Sequence, residues 1–245
     1  MTVYRPKGLR REAFFIYRYI EENLAAVRDR IACAAARVGR DPRSVTLAAV
    51  TKGATDDEVR ALLSLGVSDI AENRTQLFLH RKEIARTMGV SCRCHLIGSL
   101  QTNKAKTVVG EADLIHSVDR PSLVTALEKA AAARGVTVPV LIEINSGEEE
   151  NKGGAAFGEV PELVALIENA QHLSLRGLMT MGPDLDGDTY RRCFRKTREV
   201  FLSLQKEGHI PEDGILSMGM SGSYEIAVEE GATLVRVGSA LFKKD

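Results

Sequence analysis

Short apolar runs alternate with longer segments of helical period along almost the whole chain, and this alternation restricts the possible folds strongly. In the first unit, the apolar run 47–50 leads through Lys52 into a segment that begins with acidic residues at 56–58 and ends at Gly66. An apolar strand followed by a helix with acidic residues at its start and glycine at its end is the pattern of a β/α unit. The same pattern predicts strands at 47–50, 69–71, 95–97, 113–116, 138–144, 174–179, 215–217 and 234–237.

Eight parallel strands are enough to close a sheet into a barrel. Residues 138–142 form one continuous apolar run, as expected for a strand that is covered on both faces. No linker or low-complexity segment divides the chain. We therefore predict an α/β fold, a single (β/α)8 TIM-type barrel that forms one domain at 1–245, with an open doubly wound sheet as the alternative.

An additional helix is predicted before the first strand. Apolar residues between Phe14 and Ala35 recur three or four positions apart, which is the period of a helix. Gly39 is a typical residue for the end of such a helix. We predict a leading helix at 18–38 that packs against the barrel, preceded by an N-terminal arm at 1–17.

Composition argues against several classes of partner. The chain has 33 basic and 33 acidic residues, so no net field attracts nucleic acid or an anionic membrane. No apolar run approaches the about 20 residues that cross a bilayer. Cys92 and Cys94 lack the second pair of ligands that a structural zinc site needs. We predict a cytoplasmic protein with a small-molecule partner, no nucleic-acid or membrane partner, and no metal site.

A lysine stands where the first strand ends. In barrels of this type the functional side chains follow the C-terminal ends of the strands, because the loops there project from a rigid ring. Lys52 lies at this point, shortly after the apolar run 47–50. An amine that emerges from an apolar wall loses its proton more readily, and a neutral amine attacks an aldehyde to form a Schiff base. Lys52 is therefore a candidate for covalent binding of an aldehyde, and the alternative is a side chain that extends into solvent.

Small residues follow the last two predicted strands. Ser221 lies in the loop after 215–217, and Gly238 and Ser239 follow 234–237. Barrels often bind phosphate in these two loops, where backbone N–H groups at the start of a helix are available. The loops therefore predict a phosphate site, with tight turns between strand and helix as the alternative.

Arg236 is a charged residue within the otherwise apolar strand 234–237. If its side chain points into the barrel, its charge needs a buried partner, and a ring nitrogen or a phosphate would serve. If it points outward, a carboxylate on a helix would pair with it. The alternation of the strand leaves both interpretations open.

Six segments taken together resemble the pyridoxal-phosphate homeostasis protein family, whose fold is similar to the barrel domain of alanine racemases. The resemblance covers about residues 20–242. It rests on AVTK at 49–52, ENR at 72–74, HLIGSLQTNK at 95–104, RGLM at 176–179, LSMGMS at 216–221 and VRVGSALF at 235–242.

The resemblance implies a cofactor and a role for each candidate residue. The cofactor is pyridoxal 5′-phosphate (PLP), and Lys52 is the lysine that holds it as a Schiff base, the internal aldimine. Arg236 faces the pyridine nitrogen, and Asn73 lies beside the ring. The phosphate is assigned to Ser221, Gly238 and Ser239.

The same resemblance implies a function with little catalysis, in vitamin B6 and amino-acid homeostasis. An arginine at the pyridine nitrogen disfavours its protonation, so the ring accepts carbanion charge poorly. The expected partners are PLP, with amino acids or PLP-accepting apo-enzymes as further candidates, and the expected state is a monomer or weak dimer. The alternatives are a PLP-dependent racemase-like enzyme, a Schiff-base aldolase for a sugar phosphate, and an engineered barrel with a modified pocket. Departures from the family pattern near the site occur at Gly53, Ala54, Ala71, Ser146, Gly182, Gly222 and Ser223.

Overall fold

Eight strands pair in chain order, and the last pairs with the first. A computed structural model describes residues 16–148, 153–182 and 187–244. In the pairing of β1 with β8, Thr46 lies opposite Leu234 and Ala49 opposite Val237, which closes the parallel barrel. The predicted barrel is confirmed, and the open doubly wound sheet is wrong. The strands are β1 Thr46–Val50, β2 Asp69–Glu72, β3 Arg93–Leu96, β4 Leu114–Val118, β5 Val138–Ile144, β6 Leu173–Thr180, β7 Ile215–Ser217 and β8 Leu234–Val237.

Helices surround the strands and cover the outer face of the sheet. Short 3₁₀ turns lie at Pro42–Ser44, Thr102–Lys104 and Phe157–Glu159. Within the described ranges, no helix combines the length and the apolar character needed to cross a membrane. The helices are α1 Arg18–Arg37, α2 Asp56–Ser64, α3 Thr75–Met88, α4 Ala105–Val108, α5 Pro121–Arg134, α6 Val160–Glu168, α7 Gly187–Lys206, α8 Tyr224–Glu229 and α9 Ser239–Phe242.

Helix α1 is the leading helix that the sequence predicts at 18–38, and it ends one residue earlier than predicted. Val38 caps it and Gly39 follows with φ of 68°, a left-handed conformation that glycine adopts without a Cβ penalty. The helix packs on α8 and α9, and the Asn23 side-chain amide donates to the Leu241 carbonyl oxygen at 3.2 Å. The N-terminus of the barrel is thereby joined to its C-terminus. Of the predicted arm at 1–17, residues 1–15 lie outside the described residues.

Two strand boundaries differ from the predicted ones by two residues, and the other differences are of one residue. Strand β3 begins at Arg93, before the predicted start at 95, because Arg93 and Cys94 pair with Asp69 and Ile70 of β2. Strand β4 continues to Val118, beyond the predicted end at 116, across an irregularity in its register with β5. The ends of these strands depend on backbone pairing with the neighbouring strand. The apolar pattern of a single strand contains no information about that pairing.

The interior of the barrel combines apolar and polar side chains. One apolar cluster contains Ala48, Val50, Ala71 and Leu234, and another contains Leu114, Leu141 and Met179. Barrels of this type usually fill the interior with layers of branched apolar residues. Here the buried side chains on the strands also include polar or charged ones, among them Asp69, His95, His116, Glu143, Ser217 and Arg236. Buried polar and charged side chains of this kind require hydrogen-bond partners within the barrel.

Candidate functional site

Lys52 lies at the C-terminal mouth of the barrel, in the turn that joins β1 to α2. Ala48 and Val50 face the interior, so the alternation along β1 carries Lys52 to the interior side of the mouth. The turn is closed by a hydrogen bond from Ala54 N to the Thr51 carbonyl oxygen at 3.0 Å. The Lys52 side chain is exposed, as in the alternative in which it extends into solvent. Strand β1 ends before Lys52, and the turn carries the side chain beyond the wall.

The backbone conformation at Gly53 accounts for one departure from the family pattern. Its φ is 82°, and no atom would lie within 4 Å of a Cβ at this position. The turn after Lys52 therefore favours glycine for its backbone conformation rather than for lack of space.

A buried carboxyl group joins the ends of β1 and β2. The Thr51 hydroxyl donates to Glu72, whose side chain is buried, and the Arg81 guanidinium lies 3.7 Å from the same carboxyl oxygen. Burial raises the pKa of Glu72 above its ordinary value, although the contacts with Thr51 and Arg81 oppose the change. These contacts hold together the two turns that carry Lys52 and Asn73.

Asn73 follows β2, and its side chain is exposed at the mouth. The loop after β3 passes against it: a Cβ on Gly98 would lie 2.1 Å from the Asn73 carbonyl oxygen. Only glycine fits there, because real Cβ atoms do not approach backbone atoms so closely. Gly98 thus allows the loops after β2 and β3 to touch.

Ser221 connects the two loops that the sequence predicts to bind phosphate. Its Oγ accepts hydrogen bonds from the backbone N–H groups of Gly238 at 3.2 Å and Ala240 at 3.3 Å. Ser239 is exposed at the start of α9. A Cβ on Gly238 would lie 3.1 Å from the Val50 carbonyl oxygen, so this loop also lies against the end of β1. The structure brings Ser221, Gly238 and Ser239 together, close to the strand that leads to Lys52.

Arg236 points into the barrel, which settles the question that the sequence left open. Its side chain is buried, and it donates to Ser217 Oγ at 2.7 Å and to the Thr180 carbonyl oxygen at 2.9 Å. Thr180 ends β6 and Ser217 ends β7, so both contacts lie near the mouth. Burial lowers the pKa of Arg236 to about 10, while the charge of Glu143 opposes this change. Arg236 therefore remains a cation at pH 7.

Glu143 is a functional candidate that the sequence analysis missed. It is buried on β5, and burial, together with the charge of Asp119, raises its pKa to about 7 despite the opposing charge of Arg236. It lines a small cavity at the mouth with Ser146 and Thr180, whose hydroxyl oxygens lie 2.7 Å apart. The available signal was a single carboxyl residue within the apolar run of the fifth strand.

His95 and His116 form a second polar group, in the barrel interior. His116 Nδ1 lies 3.1 Å from Ser217 Oγ, and His116 Nε2 lies 2.9 Å from His95 Nδ1. His95 Nε2 lies 2.9 Å from Asp69 Oδ1. These distances connect His95 through His116 and Ser217 to Arg236.

A cavity of about 450 Å³ lies at the opposite end of the barrel, where the strands begin. Its lining includes Arg93, His95, Arg176 and Asp213. The candidate residues Lys52, Asn73, Ser221 and Arg236 do not line it, so cavity size does not identify the site in this fold.

The sequence of the whole barrel matches a known family. The family model described as alanine racemase, N-terminal domain, matches residues 18–245. A pyridoxal phosphate homeostasis protein of Aquifex aeolicus (strain VF5) is 38% identical over 222 residues, which are 90% of this chain and 96% of that protein. The chain belongs to the pyridoxal phosphate homeostasis protein family. The resemblance drawn from the sequence segments is thereby confirmed.

Solved structures are also similar to this chain. A crystal structure of an unknown protein from Bifidobacterium adolescentis has a TM-score of 0.87 and 35% identity, and the match covers 96% of this chain and 98% of that one. PipY of Synechococcus elongatus PCC7942, solved with PLP bound, has a TM-score of 0.76 and 30% identity; the match covers 91% of this chain and 100% of PipY. A similar barrel with related sequence therefore binds PLP.

Proposed function

We propose that this chain binds PLP at the mouth of its barrel, holds it as a Schiff base on Lys52, and serves PLP homeostasis without strong catalysis. The observation that carries the proposal is that the buried Arg236 cation, which contacts the ends of β6 and β7, lies at the same end of the barrel as the loop of Ser221 and Gly238, which itself lies against the end of β1 that leads to Lys52. An arginine can donate to a ring nitrogen, a small-residue loop can bind a phosphate, and a primary amine can form a Schiff base with an aldehyde.

The residues at the mouth fit PLP in their chemistry. Gly238 lies close to β1, leaving no room for a side chain without a shift of Val50, and Ser239 lies at the start of α9. Asn73 is exposed on the same rim and can donate to or accept from a polar substituent of the ring. When bound, PLP supplies an aldehyde for amines and a ring that withdraws electrons.

Under the same proposal the chain acts in the cytoplasm, as a monomer or weak dimer, and passes PLP to apo-enzymes.

A titration of the full chain with PLP tests this function. We expect uptake of one equivalent, a visible absorption band of the Schiff base, and a band shift on borohydride reduction that fixes the label to Lys52. Peptide mapping locates the label. Labelling of another lysine would reject the assignment of Lys52, and absence of uptake would reject PLP binding. Borohydride trapping of a sugar phosphate in place of PLP would favour the Schiff-base aldolase.

Little turnover on amino acids is expected from the charge of Arg236. With a pKa of about 10, its guanidinium keeps a positive charge beside the proposed ring nitrogen at pH 7 and opposes protonation of that nitrogen. Exchange of the α-proton of amino acids in heavy water should therefore stay within about tenfold of the rate with free PLP, below the factor of about 100 or more that a positioned general base contributes.

The second candidate function is a racemase-like enzyme, and Glu143 is the residue that favours it. A buried carboxyl group with a pKa of about 7 is suited to accept or donate a proton near neutral pH. Exchange far above that of free PLP, lost in both Lys52→Ala and Glu143→Gln, would overturn the carrier function and favour the enzyme. The Glu143→Gln variant keeps the size of the side chain and removes its acid–base capacity.

A further inference from the structure

A chain of hydrogen bonds crosses the barrel interior from the start of β2 to the mouth. It runs from Asp69 through His95, His116 and Ser217 to Arg236, with heavy-atom distances of 2.9, 2.9, 3.1 and 2.7 Å. All five side chains are buried. The contact between His116 on β4 and Ser217 on β7 joins strands that are not neighbours in the sheet. The chain is therefore built by the closure of the barrel rather than by local sequence.

The end groups, together with a single proton on each imidazole, determine the direction of every bond in this chain. Asp69 can only accept when ionised, and hydrogen bonds from His95, Ser68 and Arg93 lower its pKa although burial alone would raise it. His95 therefore carries its proton on Nε2, and its Nδ1 accepts from His116 Nε2–H. His116 Nδ1 then accepts from the Ser217 hydroxyl. The Ser217 oxygen remains to accept from Arg236, which can only donate.

This direction requires no charged histidine in the interior. Burial, with the nearby His95 and Arg236, lowers the pKa of His116 well below its ordinary value, so His116 is neutral. The reverse direction would require protons on both nitrogens of His95, because His116 Nε2 would then accept. A second buried cation in the interior is the more costly arrangement.

We propose that His95 and His116 are positioning residues that hold Ser217 as the hydrogen-bond acceptor for Arg236 and so keep the guanidinium at the edge of the cofactor ring. The proposal rests on the proposed function, since it concerns the ring of PLP. Of the two contacts of Arg236, the Thr180 carbonyl oxygen belongs to the backbone of β6, whereas the Ser217 hydroxyl is oriented by His116. Loss of His116 would leave the Ser217 hydroxyl to rotate.

The unliganded chain provides the first test. Nitrogen-15 NMR of the two imidazole rings should show the Nε2–H tautomer for both His95 and His116, and the Arg236 guanidinium should give slowly exchanging N–H signals. A proton on Nδ1 of His116 would overturn the assigned direction and the proposal with it. This measurement does not require PLP, so it separates the positioning role from the proposed function.

Two substitutions of His116 provide the second test. An amide differs in shape from an imidazole, but the side chain introduced by His116→Gln can accept at one atom and donate at another, whereas His116→Leu can do neither. We expect His116→Leu to lose the slowly exchanging Arg236 signals and to bind PLP about tenfold more weakly, which is the usual effect of one hydrogen bond to a charged group. His116→Gln should recover most of both properties.

Leu114→Ala is the matched control, since Leu114 is buried in the interior on the same strand but outside the chain of hydrogen bonds. It should lower the melting temperature and retain the Arg236 signals. The proposal is overturned if His116→Leu keeps these signals and binds PLP as Leu114→Ala does, or if His116→Gln restores neither property. If the unmodified chain takes up no PLP, the proposed function fails, and the Arg236 signals of the variants still decide the positioning role.

Discussion

Replacing Lys52 by alanine is expected to abolish borohydride-stable attachment of PLP and to weaken PLP binding by about a hundredfold, equivalent to about 2.8 kcal/mol. The amine is the group in the turn after β1 that can form a covalent bond with an aldehyde. The turn is held by the Ala54–Thr51 hydrogen bond and by Gly53, neither of which involves the Lys52 side chain. The substitution should therefore leave the fold intact and remove only the covalent contact.

The matched control for this experiment is Lys106→Ala, which removes an exposed lysine from helix α4. It should retain the visible band and the affinity of the unmodified chain. Absorption titration gives the affinity, and mass spectrometry after reduction gives the attachment. A stoichiometric label that persists in Lys52→Ala would show that another amine forms the Schiff base.

Ser221→Asp is expected to weaken PLP binding by about a hundredfold as well, because a carboxylate would stand beside a phosphate of charge about −1.5 to −2. Ser221 Oγ contacts the N–H groups of Gly238 and Ala240, so the new carboxylate would compete for the same donors that the phosphate needs. The asparagine introduced by Ser221→Asn has nearly the same shape as the aspartate but carries no charge. This variant should therefore lose much less affinity for PLP. Equal affinities of the Asp and Asn variants would remove electrostatic repulsion as the cause, and an unchanged affinity of both would remove Ser221 from the phosphate site.

The two substitutions separate the two ends of the cofactor. Lys52→Ala should prevent reduction onto the protein but leave salt-sensitive binding of PLP through its phosphate. Ser221→Asp should weaken binding of pyridoxal 5′-phosphate and leave the binding of pyridoxal, which has no phosphate, nearly unchanged.

The barrel could be predicted from the sequence because its signal repeats. Each apolar run is short, but eight runs separated by helical segments agree on one architecture, and the mouth of a barrel is known once its strands are placed. The rule selects Lys52, Ser221 and Arg236 as candidates, since each lies at or near the C-terminal end of a strand. The rule gives position along the chain and not exposure, so it left open whether Lys52 lies against the apolar wall or extends into solvent, and the turn at Gly53 carries it into solvent.

Glu143 and the histidine chain could not be predicted in the same way. A single polar residue within an apolar strand can face either the interior or a helix, and the difference depends on where the strand alternation starts. The partners of His116 lie on β3 and β7, at distances along the chain that no local pattern encodes. Inward side chains of strands that are not neighbours, such as β4 and β7, come into contact only in the closed barrel.

The pairing of β1 with β8 forms a seam between the first and the last strand of the barrel, and the proposed site lies across this seam. The turn that carries Lys52 comes from the start of the barrel and the loop of Gly238 from its end, and they touch only after that seam has formed. A growing or C-terminally truncated chain therefore has no complete site, whatever the state of its earlier strands. A ligand that binds both sides of the seam also opposes its opening, because it binds the folded chain and not the unfolded one. For this barrel, occupancy by the cofactor would report that synthesis and folding of the chain are complete.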